Sequence, residues 1–179
     1  MPARLKPALD AAFAAIAALT ASIKEYDVQI TAICERRAAA KRLAEQVPGV
    51  GELTALCYVL TIADPSRFGN VRDVAAYIGL VPRRSQSGSI DRQMGISKTG
   101  NGLLRRLLVQ SAHHVLGHFG KESDLRTAGL ALAARGAKTG KKKAIVATAR
   151  KLAVLMLSIW KSGEEYEPLR KQRRAPAAA

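Results

Sequence analysis

Gln46-Val47-Pro48-Gly49-Val50-Gly51-Glu52 is where the chain changes character. Ahead of it, from Leu5 to about Ala44, apolar residues recur with helical spacing close to a heptad. Leu9, Ile16, Ile23 and Ile30 stand seven apart, and Leu5, Ala12, Leu19, Tyr26 and Ile33 fill the alternate seam positions. No glycine interrupts the run and no proline follows Pro7 within it. So narrow a stripe suits a coiled-coil seam better than the broad face of a core helix. At about 1.5 Å per residue it predicts one helix of roughly 60 Å. Two readings stay open: a helix packed along its own domain, or an arm through which residues 5–44 join a second copy. Pro48 and the two glycines stop this helix, and Glu52 starts another that runs to about Ile62.

Downstream the helical pattern continues. Asp64-Pro65-Ser66 marks a turn, and Asn70, with Asp73 three residues on, opens a helix through Ile78 that Gly79 ends. After Asn101, the residues Leu104, Leu107, Leu108, Ser111, Ala112 and Val115 share one helical face. Leu125 to Ala134 is a short alanine-rich helix. A closing helix from Lys141 to about Ser162 buries Ile145, Ala149, Leu152, Met156, Ile159 and Trp160. Few stretches alternate as strands do. The expected fold is all-α: a coiled-coil arm over 1–46, a compact helical domain over 47–167, and a disordered basic tail over 168–179.

Of the 179 residues, 48% are apolar, which suffices for one real core plus an appended element. Lys and Arg number 29 against 14 Asp and Glu, a formal charge of +15. The excess grows along the chain: 7 basic and 5 acidic residues in 1–46, 8 and 4 in 47–120, 14 and 5 in 121–179. A field of that sign attracts polyanions, with nucleic acid the first candidate. No apolar run is long enough to span a bilayer. Cys34 and Cys57 lack metal-like or redox-like spacing and read as free thiols in a reducing cytoplasm.

Three stations could carry chemistry. Val47-Pro48-Gly49-Val50-Gly51, followed by Ala55-Leu56, fits the helix–hairpin–helix pattern of DNA-binding modules. There Gly49 and Gly51 allow a tight turn, and the next helix's first amides point at a phosphate. The same glycines also fit a plain turn. Pro82-Arg83-Arg84-Ser85-Gln86-Ser87-Gly88-Ser89, continuing through Arg92 to Asn101, has hydroxyls beside guanidinium groups and little apolar periodicity. A serine hydroxyl is a poor nucleophile unless a base, a metal or a charge clamp assists it. From composition alone a flexible phosphate-binding loop is the simpler reading. Lys141, Lys142 and Lys143 open the last helix, where the dipole disfavours cations, so a polyanion docked nearby would explain them. His114 and His118 have one-turn metal-ligand spacing but no third ligand, and no metal site is expected.

Several stretches together resemble one family. They are Val47–Gly51; Phe68 with Ala75-Ala76-Tyr77-Ile78-Gly79-Leu80-Val81-Pro82-Arg83; Gln86-Ser87-Gly88; Ile96-Ser97-Lys98-Thr99-Gly100-Asn101 with Leu104-Arg105-Arg106-Leu107-Leu108; and Lys142-Lys143-Ala144 with Ala149-Arg150-Lys151-Leu152-Ala153. In this order, over about residues 45–167, they are similar to the C-terminal domain of insertion-sequence transposases of the IS-one-hundred-ten group, recombinases guided by a bridge RNA. The resemblance implies a serine that attacks DNA and becomes joined to its phosphate. Ser87 matches it, with Ser85 and Ser89 as neighbouring alternatives. It also implies Gly49, Gly51, Arg83, Arg84, Arg92, Lys98, Arg105, Lys142, Lys143 and Arg150 as DNA contacts, and a bacterial, nucleoid-associated location. The family's acidic quartet that binds magnesium has no counterpart among Glu52, Asp64, Asp73 and Asp91. Mg2+ is therefore expected in a separate partner domain, with DNA, a guide RNA and a second copy of the chain as partners. The competing expectation is a non-catalytic dimeric nucleic-acid-binding module.

Overall fold

The computed structural model describes residues 6–87, 90–136 and 139–170. Helix α1 runs Lys6–Glu35, α2 Ala38–Gln46, α3 Glu52–Ile62 and α4 Val74–Tyr77. Strands β1 (Pro82–Ser87) and β2 (Ile90–Ile96) form an antiparallel hairpin, and α5 (Gly102–Leu116), α6 (Asp124–Arg135) and α7 (Gly140–Ser162) complete the chain. The fold is mostly helical, as the apolar spacing requires. The hairpin corrects the expectation of a structureless serine loop.

The predicted single helix from Leu5 to Ala44 is broken. Arg37 adopts extended backbone angles, φ −114° and ψ 97°, and its amide bonds back to Cys34 O at 3.0 Å. No glycine or proline marks the break, and burial explains it. The bend lets Cys34, Ala40, Leu43 and Val47 all enter the core, and their packing overrides local helix preference. Lys41 spans the break 2.6 Å from Glu35, an exposed pair of small energetic weight. Helix α2 packs on α3 and α7, so the compact body begins near Ala38 and not at residue 47.

Among the described residues, Ile16, Leu19, Ile23 and Tyr26 on the seam of α1, with Phe13 beside it, are 57–64% exposed. Of the two open readings, a helix lying along its own domain does not describe this one. Only the last turns of α1 reach the body, where Cys34 is buried and Thr31 donates a hydrogen bond to Glu52 at the start of α3.

Helix α7 forms the centre of the body, with α2, α4, α5 and α6 against it. Ala149, Leu152, Met156 and Ile159 are buried as the spacing predicts, while Ile145 and Trp160 are half-buried at the margin. Tyr58 is fully buried on α3, and its hydroxyl donates 2.7 Å to the carbonyl of Ala153 on α7. Burial pushes the Tyr58 hydroxyl pKa well up. The expected helix from Asn70 is instead a single 3-10 turn (Val71–Asp73) running into the four-residue α4. Asn70 does cap that turn, accepting from the Arg72 amide. Asp64 likewise accepts from the amide and hydroxyl of Ser66, which hold its carboxyl below the usual range.

Candidate nucleic-acid interface and serine hairpin

The hairpin leaves the body on a seam where main chain packs directly on main chain. Gly79 and Gly100 have φ +77° and +72°, conformations that side chains resist. A Cβ on Gly79 would sit 2.4 Å from Thr99 O, and one on Gly100 would sit 2.1 Å from Tyr77 O. The two legs therefore touch main chain to main chain. Lys98 N donates to Gly79 O at 3.1 Å and Ser97 N to Val81 O at 2.9 Å. Lys98, predicted as a DNA contact, holds a left-handed φ of +59° beside this seam with its side chain exposed.

Every residue of β1 is exposed, so the hairpin projects from the body. Pro82 pairs with Ile96, Arg84 with Gln93, Ser85 with Arg92 and Ser87 with Ile90, with an irregularity between Pro82 and Arg84 where β2 carries an extra residue. Ser87 ends β1 at the free tip. Strand pleating puts Arg83, Ser85 and Ser87 on one face and Arg84 on the other. The two adjacent arginines therefore do not share a face, a consequence invisible while the segment reads as a loop. Arg83 Nη2 lies 3.5 Å from Met94 Sδ across the ladder. The alternative serine Ser89 and the motif glycine Gly88 lie outside the described residues, as does the side chain of Arg92.

At the hairpin base an open groove is lined by Leu80, Pro82, Met94 and Ile96 and, from α7, by Lys142, Lys143, Val146, Ala147 and Arg150. Residues sixty positions apart in sequence thus meet. A second hollow continues along α7 past Arg150 and Lys151 to Arg72 on the 3-10 turn. Neither lining contains a carboxylate. Helix α7 starts without a side-chain cap or an acidic residue in its first turn, leaving Lys141, Lys142 and Lys143 exposed at the positive end of its dipole.

Two predicted contacts stand elsewhere. Gly49 has φ +81°, but a Cβ there would meet Val115 Cγ2 at 2.9 Å and Ser111 O at 3.1 Å, so it serves close packing on α5. Gly51 opens α3 in a hollow shared with Glu35, Glu45, Glu52 and Lys41. Those carboxylates oppose a phosphate at the α3 amides; together with burial, the larger cause, they push the Cys34 thiol pKa up. The turn between α2 and α3 thus has a packing explanation, and a phosphate-gripping hairpin is not established. Arg105 is half-buried and spends its guanidinium on main-chain carbonyls. The α5 helix ends at Leu116, so His118 lies past it and the one-turn spacing with His114 is lost. Among the described residues no group of three or more His, Cys, Asp or Glu side chains gathers to hold a metal ion, and no helix is long and apolar enough to cross a membrane.

Sequence reasoning missed Arg126. Its Nη1 donates at 2.6 Å to both Val115 O and Gly117 O, closing the end of α5. A long-range role of this kind leaves no local signal.

A strongly basic helical body that projects a serine-bearing hairpin is a domain similar to DNA recombinases of the transposase class. Residues 41–127 match the transposase IS116/IS110/IS902 family, so the chain carries a domain of that family. It is 32% identical over 163 residues to the transposase for insertion sequence element IS1111A of Coxiella burnetii, covering 91% of this chain and 44% of that protein. It is 34% identical over 109 residues to a probable family 20 transposase of Pseudomonas aeruginosa, covering 61% of this chain and 32% of the relative. A pilin gene-inverting protein of Moraxella lacunata is 32% identical over 126 residues, 70% of this chain and 38% of that protein. The chain thus spans less than half the length of these relatives.

Proposed function

We propose that this chain is the DNA-gripping, serine-presenting portion of a recombinase that cuts and rejoins DNA, as in transposition or segment inversion. The observation that carries the reading is the placement of Ser87 at the exposed tip of a hairpin whose base adjoins Lys142, Lys143 and Arg150. Those cations, with Arg72 and Lys151 further along α7, hold the sugar-phosphate backbone without reading bases. Three lysines at the start of α7 are unfavourable in the free protein and become favourable beside a polyanion.

In this reading Ser87 Oγ attacks a phosphodiester. An Oγ–P bond forms, the P–O bond to the departing deoxyribose breaks, and that oxygen leaves as a hydroxyl. Reversal by an incoming hydroxyl rejoins the strand and frees the serine. Arg83 shares the Ser87 face and stabilises the charge that builds on the phosphate. The resemblance places the magnesium-binding acidic quartet in a separate domain, and activation of Ser87 is assigned there. Magnesium bound there would neutralise phosphate charge. The exposed seam of α1 joins two copies, and a guide RNA selects the target.

The test supplies the acidic domain in trans with magnesium, guide RNA and end-labelled DNA, and looks for a protein–DNA adduct on denaturing gels. The parent forms it and Ser87→Ala does not, while both bind DNA equally. An adduct from Ser87→Ala as abundant as the parent's refutes the serine assignment. Salt-sensitive binding with no adduct from any protein points instead to the non-catalytic module.

A further inference from the structure

Arg105 reads in sequence as one more cation for DNA, yet its geometry is that of a clamp. It stands on the first turn of α5, and its Nη1 donates at 2.9 Å to Ile78 O and at 2.7 Å to Thr99 O. Ile78 precedes the outgoing leg of the hairpin and Thr99 follows the returning one. One nitrogen thus joins the two legs where the backbone seam of Gly79 and Gly100 brings them together. We propose that Arg105 is a positioning residue that fixes the angle at which the hairpin leaves the body, and thereby where its tip presents Ser87.

Leverage makes the base important. At about 3.3 Å per residue, β1 extends roughly 17 Å from Pro82 to Ser87. A tilt of about 10° at the base then carries the tip roughly 3 Å, whereas a misplacement of about 1 Å already costs on the order of 100-fold in rate. The guanidinium suits this task because its planar fork is rigid and keeps its charge, so both carbonyls are held without strain elsewhere.

The bearing on chemistry rests on the Ser87 reading; the mechanical claim is tested without it. Amide hydrogen exchange on the chain itself should speed by about 10-fold or more at Ser97 and Lys98 in Arg105→Met, with an intermediate rate in Arg105→Lys and no change at buried amides of α7. The salt dependence of DNA affinity should match the parent's. Parent-like exchange at Ser97 and Lys98 overturns the proposal. So does a fall of about 0.9 in the slope of log affinity against log salt, the mark of a lost phosphate contact. If Arg105→Met does not fold, Arg105→Lys decides by the exchange reading, since lysine keeps the charge and with it the salt slope. With the acidic domain supplied, Arg105→Lys should slow adduct formation while the DNA concentration for half-maximal rate stays put. A parent that yields no adduct defeats the serine reading, and the exchange result still decides the role of Arg105.

Discussion

Replacing Tyr58 by phenylalanine should reverse its effect on stability as pH rises. The hydroxyl is fully buried and donates 2.7 Å to Ala153 O, the deepest side-chain hydrogen bond between α3 and α7. Ala153 lies inside α7, so its carbonyl keeps a helical partner when the hydroxyl goes. The loss is then that of one net hydrogen bond, about 1 kcal/mol near neutral pH. For a chain of this size that lowers Tm by roughly 2–4 °C. Burial raises the folded pKa of Tyr58 above its unfolded value near 10. A raised folded pKa means the stability it contributes is fully present below pH 10 and is lost as pH climbs, because only the unfolded chain can release the proton. At about pH 11 the parent has lost roughly 1.4 kcal/mol through this one group, and the variant nothing. The two stability curves should therefore cross between about pH 10 and 11, with the variant ahead beyond the crossing. Urea midpoints for both proteins at pH 7, 9, 10 and 11 read this directly, and other tyrosines and lysines cancel in the difference. A constant offset from pH 7 to 11 refutes the burial argument.

The backbone seam gives a second expectation. Gly100→Ala combines left-handed strain of about 1–2 kcal/mol with a clash against Tyr77 O that only main chain can relieve, whereas a Cβ on Gly95 meets nothing within 4 Å. Urea denaturation should place Gly100→Ala at least about 2 kcal/mol below Gly95→Ala, and equal midpoints would contradict the seam. On the arm, Ile16 and Ile23 are 57% and 58% exposed, so the double change Ile16→Asp, Ile23→Asp should convert any oligomer to monomer in light scattering while stability moves by no more than about 0.5 kcal/mol. Lys142→Ala, Lys143→Ala and Arg150→Ala should each reduce the salt slope of DNA binding by about 0.9; an unchanged slope in all of them removes the groove from the interface.

Helix faces were legible in the sequence because burial repeats with the helix period. Leu104, Leu108, Ala112 and Val115 on α5 lie inside as their spacing requires. What sequence could not show was fixed by contacts between distant residues. The bend at Arg37 has no breaker residue and comes from burying Cys34 and Leu43 together. Strand β1 is polar and exposed throughout, so no apolar alternation betrayed it, and Ser-rich composition alone reads as loop. Gly79 ends the α4 turn at a positive φ as its position predicts, and Gly100, whose surroundings read as a phosphate-suited segment, answers to main-chain contact. Lys142 and Pro82 meet in one groove only through the packing of α4 and α5 on α7, a relation no local window contains.

On the proposed reading, charge placement decides which side of the body would face a nucleic acid. Glu35, Glu45 and Glu52 gather where α1 enters the body, beside the turn that the motif marked for phosphate. The carboxylate-free grooves along α7 bring Arg72, Lys142, Lys143, Arg150 and Lys151 together. A polyanion is repelled at the first surface and drawn to the second, and desolvation at contact sharpens the difference. The root of the arm therefore stays clear of the strand that the hairpin approaches. On the proposed reading, two copies joined through α1 would each present a hairpin to DNA without the joint itself competing for the phosphates. Reversing the order of charges tests this division: Glu45→Lys with Glu52→Lys should create a second, hairpin-independent binding surface, seen as DNA affinity that survives loss of Lys142, Lys143 and Arg150. If the triple loss abolishes binding equally in both backgrounds, the carboxylates are not what keeps nucleic acid from the arm's root.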